Sequence, residues 1–150
     1  MKYNTEQLQQ LAASIQKQVI EIFPDCFFYC RVDNRFTPSI YGRFSIGKDS
    51  SEWSNGIQEN DPALHTFHIF IEGEKLSLEW SQGNMLIKPE NKILAYSRAK
   101  TGMRNKKGND SEILKAVVSF FSKLPAKIKE QEDNICDQHK PLFKAKNLIN

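Results

Sequence analysis

A helical repeat of apolar residues opens the chain and predicts an amphipathic helix over residues 4–23. Apolar side chains recur there every three or four positions, at Leu8, Leu11, Ala12, Ile15, Val19, Ile22 and Phe23. Asn4 or Thr5 can cap the first turn, since short polar side chains accept hydrogen bonds from its amides. Pro24 ends the helix, because a proline disfavours the α conformation of the residue before it.

The middle of the chain changes to alternation of polar and apolar residues, which is typical of half-buried strands. Gly73-Glu74 suits a two-residue hairpin turn, and residues 49–64 are polar and predict a long loop. The pattern predicts strands at 27–35, 40–46, 66–72, 75–80, 85–88 and 92–100.

A second helical repeat follows Asp110-Ser111, which can cap it. Its apolar positions are Ile113, Leu114, Val117, Val118, Phe121 and Leu124. Pro125 interrupts the repeat, so 126–139 is either a kinked continuation or a separate helix. From Pro141 onward, the apolar side chains either dock on the domain or the terminus frays.

This order of elements predicts a single α+β domain over residues 1–150, of a length that buries a core without disulfides or metal. We expect an N-terminal helix, an antiparallel sheet of about five strands arranged as a meander or hairpins, and C-terminal helices packed on one sheet face. The other face is then left open. The predicted boundaries are 1–24 for the N-terminal helix, 27–100 for the sheet, 110–140 for the C-terminal helices and 141–150 for the tail.

Composition narrows the class of protein. A chain that is 39% hydrophobic is too apolar to be disordered, and none of its apolar stretches approaches the roughly 20 residues of a membrane span. The polar N-terminus shows no secretory signal, and an odd number of cysteines, three, favours a reducing compartment. We therefore expect a cytoplasmic protein that does not bind membranes.

The open sheet face is the first candidate site. Alternation along the first two strands places one group of aromatic and cationic residues on it, namely Tyr29, Arg31, Arg35, Tyr41 and Arg43. Aromatic rings stack on bases, and guanidinium groups bind phosphates. The pattern predicts a nucleic-acid-binding domain, with DNA or RNA as its partner and no catalytic residue.

The second candidate is the segment 98–108, which holds five basic residues and no acidic one in a chain of net charge only +3. These residues are Arg98, Lys100, Arg104, Lys106 and Lys107. We interpret the segment as a flexible cationic arm that contacts phosphates, which would make binding salt-dependent.

Thiol and imidazole groups raise the question of a zinc site, which the spacing disfavours. Cys26 and Cys30 lie four positions apart, about 13 Å along a strand, too far to share one ion unless Cys26 lies on the bend after Pro24. Cys136 and His139 lie three positions apart on a predicted helix, so they could share one face. We expect ordinary thiols, and no metal or cofactor.

A nuclease is the least favoured interpretation. His65 and His68 are an odd number of residues apart, so their side chains point to opposite faces of a strand. His68, Glu72 and Arg43 could share the outward face as a base, an acid and a phosphate clamp, though a structural histidine is the more common case.

A small inhibitor or adaptor is the main alternative function. The length, the single domain and the lack of a catalytic motif fit a phage or mobile-element protein that binds a host nuclease equally well. Such a protein would recognise a protein surface rather than a nucleic acid.

The order of elements also resembles the N-terminal DNA-binding domain of McrB-type, modified-cytosine-dependent restriction GTPases. The resemblance rests on Arg31-Val32, on Tyr41-Gly-Arg-Phe44, on Ser54-Asn-Gly-Ile57 and on the strand at 93–100 with the basic loop and apolar helix after it. It spans most of residues 4–128, and it implies DNA binding with a pocket for a flipped base.

Overall fold

The computed structural model describes residues 3–47, 65–82, 104–135, 137 and 140–150. The helices are α1 (Thr5–Ile22), α2 (Asp110–Glu130) and α3 (Lys140–Ala145), with a 3₁₀ turn at Glu132–Asn134. The strands are β1 (Phe27–Asp33), β2 (Ser39–Ser45), β3 (His65–Glu72), β4 (Lys75–Gln82) and β5 (Lys106–Gly108).

The five strands form one antiparallel sheet in the order β1-β2-β3-β4-β5, and the chain is an α+β fold, as predicted. The β3–β4 turn is the predicted one, and Gly73 has a φ of 64°, which suits a residue without Cβ. The predicted loop at 49–64 and the predicted strands at 85–88 and 92–100 lie outside the described residues.

The prediction that the whole basic segment is a flexible arm is wrong for its last three residues. Residues 106–108 belong to the predicted flexible arm, but they form β5 and pair with Leu76–Leu78 of β4. The sheet therefore extends to Gly108 rather than ending at residue 100. Three residues reading Lys-Lys-Gly carry no alternation, so only the pairing with β4 reveals this strand.

Helices α1 and α2 both begin with a capping box. In α1 the Asn4 side chain accepts from the Gln7 amide and the Gln7 side chain accepts from the Asn4 amide, each at 2.9 Å. In α2 the capping residue is Asn109, paired with Glu112, and not the predicted Asp110-Ser111. Both helices thus start on polar side chains that satisfy their first amides.

Pro125 does not end α2, which continues to Glu130. Leu124 and Ile128 are both buried, so the apolar repeat holds the helix on the core on either side of the proline. After α2, Phe143, Leu148 and Ile149 are buried, so the C-terminal residues dock rather than fray. No helix in the described ranges has the length and apolar character needed to cross a bilayer.

The core lies between the helices and one face of the sheet. Phe121 of α2 contacts Phe28 of β1 and Phe44 of β2, with ring centroids 5.4 and 5.3 Å apart. Gln16 of α1 donates to the Phe28 carbonyl at 3.1 Å and ties the helix to the first strand. Since these helices pack on one face, the alternate residues of β1 and β2 lie on the opposite face. None of the described helices packs on that face, which we call the open face.

Candidate functional site on the open sheet face

Tyrosines and arginines alternate across the first two strands of the open face. The register places Tyr29 opposite Arg43, and Arg31 opposite Tyr41. Side chains of opposite residues lie about 5 Å apart, so each ring has a guanidinium group as its neighbour across the strands. The structure thus brings together four of the five predicted sheet residues.

A third ring extends this cluster across the sheet. The ring centroids of Tyr29 and Tyr41 are 5.8 Å apart, and those of Tyr41 and His68 are 4.9 Å apart. All three side chains are half-buried and belong to β1, β2 and β3 in turn. We call Tyr29, Tyr41 and His68 the aromatic row.

Arg31 lies against the end of the row. Its guanidinium carbon is 4.9 Å from the centroid of the Tyr29 ring, a cation–π contact, and the residue is exposed. Burial and the nearby Tyr41 raise the pKa of Tyr29, so its phenol stays neutral at physiological pH. Within the part of the chain that the structure describes, Arg31 forms no ion pair.

A groove of about 480 Å³ lies beside the row and is bounded by residues 31–35. Arg35 closes its end by pairing with Asp33, with 2.8 Å between Nη2 and Oδ2 and 3.1 Å between Nε and Oδ1. This hydrogen bonding lowers the pKa of the Asp33 carboxyl to about 2. Arg35 therefore lies at the predicted site, but its charge is balanced by a carboxylate.

The basic segment is held in place where the structure describes it. The Trp80 indole donates to the Arg104 carbonyl, and the Trp80 amide donates to the Asn105 side chain, both at 3.1 Å. The Nζ of Lys107 lies 2.8 Å from a carboxylate oxygen of Glu72, and this contact raises the pKa of the lysine. Residues 104–108 are thus anchored to β4 rather than forming a flexible arm; Arg98 and Lys100 lie outside the described residues.

Among the described residues, the two predicted groups of cations lie towards opposite edges of the sheet, on β1 and β2 for the first group and on β5 for Lys106 and Lys107. Three strands separate β1 from β5, and at about 4.8 Å per strand the edges are roughly 19 Å apart. Lys107 is opposite Ser77 and lies on the open-face side, whereas Lys106 is opposite the core residue Leu78 and lies on the helix side. The described part of the basic segment, residues 104–108, lies beside β4 and not beside the strands that carry Tyr29 and Tyr41.

His65 and His68 lie on opposite faces of the sheet, as predicted. His65 is fully buried against Phe120, with ring centroids 5.0 Å apart, and burial lowers its pKa to about 3. It is inaccessible to a substrate. His68 lies on the open face opposite Tyr41 and Glu79, whereas Glu72 is four residues further along the strand.

The cysteines in the described part of the chain are core residues. Cys26 and Cys30 are buried thiols, and burial raises the pKa of Cys30 to about 12. Among the described residues, no three metal-ligating side chains come together. Cys136 and His139 lie outside the described residues.

Sequence reasoning missed two features beside the site. Strand alternation predicts that His68 lies on the outward face as a possible base, but it does not predict the contact of this ring with Tyr41. Phe36, in the connection between β1 and β2, is 91% exposed. The signal for an exposed ring was already present in the sequence, because Phe36 is a large aromatic residue within a predicted turn.

Comparison with protein-family models, curated protein sequences and solved structures found no match to this chain. The resemblance to the DNA-binding domain of McrB-type restriction GTPases therefore stays a prediction.

Proposed function

We propose that the chain is a nucleic-acid-binding domain without catalytic activity and that the open sheet face is its binding surface. The observation that carries the proposal is the alternation of Tyr29, Arg31, Tyr41 and Arg43 across β1 and β2. Rings and guanidinium groups at neighbouring positions match the bases and phosphates that neighbour each other along a nucleic acid.

Arg31 supports the proposal most directly. It is exposed, it lies over a ring, and in the described part of the chain no carboxylate forms an ion pair with it. A guanidinium group in this position can bind a phosphate while it keeps its contact with the Tyr29 ring. The partner in this proposal is DNA or RNA in the cytoplasm, and Arg104 and Lys106 contribute attraction at longer range.

A binding titration tests the proposal. Fluorescence anisotropy of labelled single-stranded and duplex DNA and RNA at 50 mM salt should show saturable binding, weakened by the variant Arg31→Gln. Lys123→Gln is the matched control, because Lys123 is an exposed cation on α2, away from the open face. Absence of binding to every oligonucleotide at this salt would reject the function.

Phe36 favours one second candidate, a protein-binding inhibitor or adaptor. Exposed aromatic side chains are common anchors of protein interfaces, and Phe36 is 91% exposed. A stoichiometric protein partner that survives nuclease treatment and high salt, and is lost in Phe36→Ser, would support this candidate. The same variant should leave binding through Arg31 intact if nucleic acid is the partner.

A further inference from the structure

We infer that the open face selects single-stranded over duplex nucleic acid, by stacking an unpaired base on the aromatic row. This inference rests on the proposed function and specifies its ligand. It is carried by three features of the described residues: the contact between three rings, the groove beside them, and the carboxylates around them.

The rings offer a surface that only an unpaired base can use. The Tyr41 ring contacts the other two rings of the row. Its centroid is 5.8 Å from that of Tyr29 and 4.9 Å from that of His68. They are half-buried, so little side-chain freedom is lost when a base stacks on them. In a duplex both faces of an internal base are covered by its neighbours, and only the base edges are accessible in the grooves.

The groove has the size of a nucleotide site. Its volume of about 480 Å³ falls within the range of small-ligand pockets, roughly 300–1,000 Å³. At the end of the groove the Asp33 carboxylate is already paired with Arg35, whereas Arg31 forms no ion pair among the described residues and favours a phosphate. A nucleotide would therefore lie with its base on the aromatic row and its phosphate towards Arg31.

The charges on the face disfavour a duplex, which requires a broad cationic surface. Glu79 is opposite His68, at the far end of the row from Arg31. Beyond it, Lys107 is paired with Glu72, and at the groove Arg35 is paired with Asp33. With so many of the surrounding cations compensated, stacking has to supply a large share of the affinity.

The test compares three probes on the unmodified protein: a single strand of mixed sequence, the same strand with abasic sites, and its duplex. We expect the single strand to bind at least roughly tenfold more tightly than the duplex. The abasic strand should bind roughly 5- to 150-fold more weakly than the intact strand, since stacking contributes about 1–3 kcal/mol per base. Each probe is prepared as DNA and as RNA, which distinguishes the two sources of the same ligand.

Variants of the row locate the effect. Tyr41→Leu should weaken binding of the intact strand and leave binding of the abasic strand unchanged, whereas Tyr41→Phe, which keeps the ring, should bind like the original protein. Equal affinity for strand and duplex, or no loss with the abasic strand, would overturn the single-strand inference and leave the proposed function standing. Failure of all probes to bind would overturn the proposed function itself.

Discussion

The ring of Phe67 on β3 occupies the space that a side chain at Gly42 on β2 would need. The two residues are opposite each other, and a Cβ atom at position 42 would lie 2.2 Å from the Cζ of Phe67. Phe67 is fully buried, so the ring has no room to move away. Gly42 thus lets β2 run directly over a core ring while presenting Tyr41 and Arg43 to the open face.

We predict that Gly42→Ala destabilises the fold by about 1–3 kcal/mol, the usual cost of overpacking a core. Denaturant unfolding monitored by fluorescence measures the change. The double variant Gly42→Ala with Phe67→Leu should lose less than the sum of the two single variants, because the smaller side chain removes the clash. A Gly42→Ala protein as stable as the original would contradict this account of the contact.

Local sequence patterns were sufficient to assign the side chains of β1 and β2 to the two faces of the sheet. They did not predict the distance to the basic segment or the ion pair at the end of β1. Alternation alone assigns Tyr29 and Arg31 to one face, because successive side chains of a strand point in opposite directions. The distance between Arg31 and the basic segment depends on strand order, which alternation does not specify. The pairing of Asp33 with Arg35 depends on where β1 ends, and strand ends are poorly marked in sequence.

The buried His65 makes stability depend on pH. Burial lowers its folded-state pKa to about 3, against 6.5 for an exposed histidine, so the unfolded chain binds the extra proton between these values. Stability should therefore fall as the pH decreases from about 6.5 towards 3, with this group contributing up to roughly 1.4 kcal/mol per pH unit. Unfolding free energies across that range should show a shallower slope in His65→Leu, and an unchanged slope would contradict the assignment.

The Asp33–Arg35 pair should be visible in a titration. Its hydrogen bonds lower the pKa of Asp33 to about 2, so any stabilisation from the pair is present above the normal carboxyl pKa and is lost as the pH falls from about 4 to 2. NMR detection of the Asp33 carboxyl should give a midpoint near 2 that returns towards the ordinary value in Arg35→Gln. Lys127→Gln, which removes a half-buried lysine of α2 that pairs with Glu130, is the control and should not move it.

Salt dependence should separate the contributions of the two cationic groups to nucleic-acid binding. If Arg31 and Arg43 alone contact phosphates of a single strand, the slope of log K against log salt is roughly −1.4; contacts from Arg104 and Lys106 as well would make it roughly −2.8. Lys106 is on β5 and Arg104 contacts Trp80 of β4, and β3 lies between these strands and the strands of Arg31 and Arg43. We therefore expect the slope to be nearer the first value. Replacing Arg104 and Lys106 with glutamine should then slow association and leave the slope almost unchanged, whereas Arg31→Gln should reduce it by roughly 0.7. A slope that halves on loss of Arg104 and Lys106 would place those residues in direct contact with the strand instead.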